Sequence, residues 1–222
     1  MNICIGIQAR LSSKRLPGKV LKKIGRKYLL DLVIERLKRT SLSKHIFLLT
    51  SNRSSDDLIE EYCKKKKIRY YRGDLNNVFK RYKSFLENFN YDAIIRISAD
   101  SPLIEPELIE GMLEIFKNNN KDIVTNVFPK SFPNGQSVEI ISSSIFQPIK
   151  TKNLQKDEKE HVTKYFYKNF SKYNIFNFKC PYKHEYPKLS IDTIDDFTKL
   201  KFFIKKKHNV NNLSINDILE NW

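Results

Sequence analysis

Residues 2–21 read NICIGIQARLSSKRLPGKVL. The first part, Asn2 to Gln8, is a short apolar run with the length and composition of a buried strand. It passes directly into a segment that sets Arg10, Lys14, Arg15 and Lys19 around Ser12, Ser13, Pro17 and Gly18. Surfaces carry cations anywhere, but this density at the carboxyl end of a first strand points to an anionic ligand. Whether the strand belongs to a parallel sheet decides the matter, because such sheets bind ligands at the carboxyl ends of their strands.

Outward from this stretch, the periodicity alternates. Residues 27–39 repeat apolar residues at helical spacing (Leu29, Leu30, Val33, Ile34, Leu37), and His45 to Thr50 is a second buried strand. A helix is expected over Asp56 to Lys66, after the cap signal of Ser54 and Ser55. Then come a brief strand at Ile68 to Tyr71, a helix at Leu75 to Phe89 and a strand at Asp92 to Ser98. Pro106 to Lys117 reads as a helix with proline in its first turn, and Ile123 to Asn126 as a fifth strand. Strand and helix in alternation predict an α/β fold, a doubly wound and mostly parallel sheet covered on both faces. After about residue 128 the rhythm changes. An Asn134-Gly135 turn precedes another strand, Asp157 to Phe170 looks helical, 174–180 and 187–191 look extended, and Phe197 to Lys207 and Ser214 to Trp222 look helical. No flexible linker or internal repeat separates this part from the first, so one domain is expected.

Composition narrows the class. A chain of 222 residues with 40% hydrophobic residues buries enough surface to need no staples. Cys4, Cys63 and Cys180 show no CxxC spacing, so neither a zinc site nor a disulfide framework is indicated, and Cys4 is expected to be a buried thiol. These features fit a reducing cytoplasm. No leader pattern and no apolar run long enough to span a bilayer is visible, so no membrane contact is expected. The net charge of +16 would suit nucleic acid. Its lysine runs at 64–67 and 205–207, however, lie at the ends of expected helices, where cations suit the dipole and stay solvated. No nucleic-acid-binding motif accompanies them, and no nucleic-acid partner is expected.

The basic loop is neither of two familiar phosphate loops. Gly18-Lys19 is followed by Val20 where a Walker loop has Ser or Thr, and no GxGxxG occurs. Its chemistry still suits a polyphosphate. Backbone amides around Ser12 and Ser13 form a potential nest, Arg10 and Arg15 offer planar bidentate donors, and Lys19 offers a point charge.

At this point the residues carry a resemblance. IQARxxSxRLPGKxL is similar to the N-terminal signature of the cytidylyltransferases that make CMP-activated acid sugars, the CMP-Kdo and CMP-acylneuraminate synthetases. The SpsF-type spore-coat polysaccharide branch is the nearest. RGDLNNVFKRY (72–82), RISADSPLIEP (96–106), Thr125-Asn126, FPNGQSVEI (132–140), EHVT (160–163) and IDTIDDF (191–197) stand in the order of that branch's fragments. The resemblance implies one nucleotide-diphospho-sugar-transferase-like domain over 1–222, with a nucleotide-binding core at 1–127. The remainder, 128–222, would add acceptor-binding and dimer-forming elements. It implies Mg²⁺ as cofactor, a homodimer, and CTP with a sugar acid or sugar phosphate as substrates.

The resemblance also distributes roles. Gln8, Ala9, Arg10, Leu11, Ser12, Ser13, Arg15, Lys19, Ser98 and Ala99 fall to the nucleotide, and Lys19, Arg10 and Asp100 to catalysis. Asp100 and Asp192 each follow an apolar strand, and two hard oxygen ligands beside a polyphosphate suit Mg²⁺. The competing role for each is to cap the next helix. Arg72, Arg96, Asn126, Glu139 and His161 fall to the acceptor side. Arg72 and Arg96 also suit the triphosphate or base, Glu139 is equally at home as a plain strand residue, and His161 as an interface residue. A metal-dependent glycosyltransferase of similar topology is the rival enzyme, but such enzymes commonly carry DxD where this chain has Ala99-Asp100-Ser101.

Overall fold

The computed structural model describes residues 1–180, 186–207 and 210–222. The chain alternates as the periodicity predicts: β1 (Ile3–Gln8), a short hairpin of β2 (Lys23–Ile24) and β3 (Lys27–Tyr28), α1 (Leu29–Leu37), β4 (Ile46–Ser51), α2 (Asp57–Lys66), β5 (Arg69–Gly73), α3 (Val78–Phe89), β6 (Ala93–Ser98) and α4 (Pro106–Asn118). There follow β7 (Ile123–Thr125), β8 (Glu139–Ser142), α5 (Lys156–Glu160), α6 (Lys164–Lys168), β9 (Ile175–Asn177), α7 (Ile194–Lys206) and α8 (Ile215–Asn221).

The main sheet has seven strands in the order β5-β4-β1-β6-β8-β7-β9. β5, β4, β1 and β6 are parallel, β8 runs antiparallel between β6 and β7, and β9 is parallel to β7. In β1, Ile3, Ile5 and Ile7 join the apolar cluster containing Val33, Cys63 and Ile109 of the helices on one face. Cys4 joins Phe79, Tyr82 and Phe85 of α3 on the other. The expected buried thiol is thus confirmed. A third cluster packs Leu189, Ile191, Leu200 and Phe203 from the C-terminal part against Leu16, Leu29 and Leu103. No helix among the described residues is long and apolar enough to cross a membrane.

Three expectations need correction. The helix expected over 157–170 is broken at His161, whose extended backbone ends α5, and α6 restarts at Lys164. The five residues before Val162 carry no apolar side chain, so only the second piece, with Val162 and Phe166, has a face to bury. Residues 187–191 form no strand. Leu189 N–H donates to Asn134 O and Ile191 N–H to Asp100 O, two bonds to two separate partners rather than a ladder with one. The helix expected from residue 27 begins at Leu29, because Lys27 and Tyr28 pair with β2.

The strand order places a switch point between β1 and β6. From β1 the chain moves outward to β4 and β5, then returns to the other side of β1 as β6. Gln8 and Ser98 are register partners at the carboxyl ends of these two strands. The crevice beyond them is where an open α/β sheet binds its ligand.

Candidate active site

A cleft of about 710 Å³ opens at that switch point. Gln8, Ala9, Arg10, Ser12, Ser13, Arg15 and Lys19 line it from the first strand and loop, and Ser98, Ala99 and Asp100 from the end of β6 and the turn that follows. Asp192 closes it from the C-terminal part. The loop is held by its own backbone and by α2. Gly18 N–H donates to Leu11 O (2.9 Å), and Leu11 N–H donates to Oδ1 of Asp56 (2.7 Å), a fully buried carboxylate that also accepts from Ser51. Leu11 therefore turns from the cleft and packs on the core. Gly18 takes the left-handed conformation (φ 66°), which favours glycine, and starts the short 3-10 turn that carries Lys19.

Two carboxylates far apart in sequence meet here. Ile191 N–H donates to Asp100 O at 2.9 Å, which sets the two chain segments side by side. Gly135 makes the approach possible, since a Cβ there would lie 2.7 Å from Ser190 N. Lys19 Nζ then donates to Asp100 Oδ2 (2.8 Å), Asp192 Oδ1 (3.1 Å) and Ile191 O (2.8 Å). Asp192 also pairs with Arg15 at 2.9 Å and with Lys188 at 3.2 Å. Burial alone would raise the Asp192 carboxyl, but the hydrogen bonds and charges of Lys19 and Lys188 outweigh it and hold the pKa low. Neither aspartate caps a helix. Glu105 precedes α4, and Thr193 caps α7 by accepting from Asp196 N–H. Asp196 supports that first turn; burial would raise its pKa, but the hydrogen bonds donated by Lys188, Asp192 and Thr193 overcome this and lower it to about 2.

Two carboxylates that share one cation are a hard-oxygen donor pair of the kind Mg²⁺ uses, so the donor set fits such an ion. Among the described residues no cluster of three or more His, Cys, Asp or Glu is available to hold a metal. Any ion here would keep most of its ligands from water and substrate.

The residues expected on the acceptor side lie elsewhere. Arg72 is outside the cleft: it pairs with Glu60 and Asp57 and donates to the carbonyls of Ser51 and Arg53, stitching β5 to α2. Arg96 and Glu139 pair with each other behind Gln8, whose Oε1 accepts from Arg96 Nε at 3.2 Å. Tyr167 donates to Glu139 at 2.6 Å. Asn126 is buried and holds its own turn, donating to Gln136 O and accepting from Val138 N–H. His161 is exposed beside Glu160.

Sequence reading missed other cleft residues: Leu75, Asn76, Lys156 and Glu160. Asp74 accepts from the amides of Asn76 and Asn77 and so forms the turn that brings Leu75 and Asn76 to the cleft. The fragment RGDLNNVF carried that signal. Glu160 lies 3.6 Å from Arg10. In all, Arg10, Lys14, Arg15, Lys19 and Lys156 face Asp100, Glu160 and Asp192, an excess of cations suited to a polyanion. The other large depression, about 550 Å³ between Ile24 and Phe202, is apolar and offers no carboxylate.

A switch-point cleft with a cationic loop and a converging carboxylate pair defines a nucleotidyl-transferring enzyme of the α/β class. Comparison with known proteins gives the family: the cytidylyltransferase family model matches residues 3–214, and the chain belongs to that family. It is similar to the spore coat polysaccharide biosynthesis protein SpsF of Bacillus subtilis, 29% identical over 207 residues that cover 90% of this chain and 85% of that one. It is also similar to the 3-deoxy-manno-octulosonate cytidylyltransferase of Rickettsia bellii, 32% identical over 130 residues, 57% of this chain and 52% of that one. The solved structure of a cytidylyltransferase from Leptospira borgpetersenii superposes with a TM-score of 0.90 at 30% identity, covering 98% of this chain and 92% of that one. The chain is thus a CTP-using nucleotidyltransferase with this fold.

Proposed function

We propose that this enzyme transfers the cytidylyl group of CTP to a hydroxyl of a sugar acid, with Mg²⁺ held by Asp100 and Asp192, to supply an activated sugar for surface glycan synthesis. The observation that carries the reading is the convergence of the basic loop and the two aspartates on one cleft. The names of the two relatives support the acceptor class and the pathway. A sugar phosphate is the second acceptor that a cationic cleft would accept.

The chemistry is a displacement at the α-phosphorus. The acceptor oxygen forms a bond to phosphorus, the bond to the bridging oxygen breaks, pyrophosphate leaves with the electron pair, and the acceptor's proton passes to solvent. Arg10 and Arg15 offer bidentate donors to the phosphate oxygens as charge develops on them. The amides near Ser12 and Ser13 orient the chain of phosphates, and Gln8, Ser98 and Ala99 floor the site beneath them. Asp100 and Asp192 would hold a divalent cation, which would supply Lewis-acid polarisation to the phosphates. Glu160 and Lys156, from the later part of the chain, face the loop from the side left for the acceptor. In this reading residues 1–127 hold the nucleotide, and the segment after 128 contributes the acceptor side and Asp192.

The test is pyrophosphate release with Mg²⁺, offering CTP, GTP, UTP and ATP against Kdo, other nonulosonic acids and sugar phosphates. Turnover with CTP and an acid sugar, lost in Asp100→Ala, is expected. Silence across the panel together with no calorimetric binding of CTP would overturn the reading.

A further inference from the structure

Lys19 is fully occupied. An ammonium has three N–H donors, and those of Lys19 go to Asp100, Asp192 and the Ile191 carbonyl at 2.8, 3.1 and 2.8 Å. Its side chain is only 10% exposed. In this arrangement no donor is left for a phosphate oxygen. The two carboxylate oxygens that Lys19 bridges are also the pair that a divalent cation would need. An ammonium and a dication cannot share that point, because both need the same lone pairs and repel each other.

We propose that Lys19 is an exchangeable internal counter-ion: its ammonium bridges Asp100 and Asp192 while the cleft is free of nucleotide, leaves the pair as a divalent cation is taken up, and then turns its donors to the triphosphate. The proposal rests on the reading of Asp100 and Asp192 as the cation ligands. Its logic is electrostatic. Two partly buried carboxylates side by side repel unless a cation lies between them. Lys19 supplies that cation in the resting enzyme and keeps the pair preorganised. Its four-carbon stem lets the ammonium move without moving the turn that carries it. The pair is asymmetric. Asp192 keeps Arg15 and Lys188 after Lys19 departs, whereas among the described residues Asp100 has no other ion-pair partner. Asp100 is therefore the ligand that the exchange sets free.

Two consequences follow. Cation binding without nucleotide is weak, since Lys19 must be expelled into a cleft that offers it few acceptors. Nucleotide then tightens cation binding, because the triphosphate gives Lys19 new acceptors, and by reciprocity the cation tightens nucleotide binding to the same degree.

The experiment measures Mn²⁺ binding to the full chain by electron paramagnetic resonance of the free ion, alone and with a non-hydrolysable CTP analogue. Wild type, Lys19→Met, Lys19→Gln and Asp100→Asn are compared, each checked for folding by circular dichroism. Without nucleotide, both Lys19 variants are expected to bind Mn²⁺ about tenfold more tightly than wild type or better, within the ordinary range of such couplings. The analogue should tighten Mn²⁺ by a similar factor in wild type and by much less in the Lys19 variants. Equal or weaker Mn²⁺ binding in both Lys19 variants, with binding still lost in Asp100→Asn, would overturn the exchange and leave the carboxylate site standing. Mn²⁺ binding that is indifferent to Asp100→Asn would remove the carboxylate site and the exchange with it. Lys19→Gln keeps a polar though shorter and uncharged side chain, so it answers the question if Lys19→Met does not fold.

Discussion

Glu139 faces Arg96 directly across the β6-β8 ladder, and its side chain is almost wholly buried. Burial would lower the Arg96 pKa, but the charge of Glu139 outweighs it and the guanidinium is held firmly protonated. Removing one member of such a pair leaves the other as a buried charge without a partner. Glu139→Gln should therefore destabilise the fold by about 3 kcal/mol in urea denaturation. Replacing both residues with apolar ones should cost clearly less than the sum of the single changes, a non-additivity read from the double-mutant cycle. Because Arg96 also orients Gln8, the single variant should weaken CTP binding without touching the nucleotide. Asp56 acts on the site in the same indirect way. It is buried, anchors the Leu11 amide and accepts from Ser51. In Asp56→Ala those donors lose their acceptor, at a cost of about 2 kcal/mol. The loss of CTP affinity should exceed the loss of stability in relative terms, since the basic loop loses its tether. Equal CTP affinity in calorimetry would show that the loop is held by its own backbone alone.

Among the elements, α1 shows how a local signal and a tertiary one combine. Asp31 caps its first turn through the Tyr28 amide and also accepts from Tyr62 and pairs with Lys66 of α2. Desolvation pushes its pKa up, but these partners prevail and the carboxyl sits below its ordinary value. A lowered carboxyl stabilises the fold at a pH above its unfolded pKa of about 4, and that contribution disappears as the pH falls through the folded value. Thermal melts should accordingly show an acid limb below pH ~4 that is shallower in Asp31→Asn. An unchanged limb would assign it to other carboxylates. Periodicity revealed α1, α4, β1, β4 and β6 because each has one buried face or is buried throughout, and that burial is written in the residue pattern. It revealed neither the β2-β3 hairpin, whose two-residue strands are too short to have a period, nor the antiparallel insertion of β8, which only pairing partners decide. The alternation of Leu189 and Ile191 reads as a strand, but these side chains are buried in a cluster with Leu29 of α1 and Leu200 and Phe203 of α7, and their amides bond to two separate loop carbonyls. The site was legible where it was local: the loop from Gln8 to Lys19 and the Asp100 strand end. Lys156 and Glu160 were not, because their place beside the cleft depends on where α5 docks, which no local pattern states.

At the scale of the whole molecule, the cleft depends on a distant stitch. Asp192 belongs to a C-terminal part that returns across the sheet's end and is fastened beneath by Arg36 of α1. The guanidinium of Arg36 is fully buried and donates to Ile104 O, Val210 O (2.9 Å) and Leu213 O (3.1 Å), and it lies 3.6 Å from Glu105. Desolvation lowers its pKa to about 10 against the pull of Glu105, so it stays charged at neutral pH. One side chain thus ties α1, the β6-α4 connection and the segment leading to α8. Arg36→Met keeps much of the volume but leaves three carbonyls without their donor and the Glu105 carboxylate without its ion-pair partner, which should cost about 3–5 kcal/mol. The loss should be felt first ahead of α8, where Arg36 holds the carbonyls of Val210 and Leu213. Limited proteolysis of Arg36→Met is expected to cut ahead of α8 at protease levels that leave wild type intact. Pyrophosphate release should fall with the loosening of the Asp192 arm, although no cleft residue has changed. If the variant instead resists protease as wild type does and melts within about 1 kcal/mol of it, the apolar contacts of Leu189, Ile191, Leu200 and Phe203 are sufficient to hold the C-terminal part in place. Cutting those side chains back, rather than Arg36, would then be what releases Asp192 from the cleft.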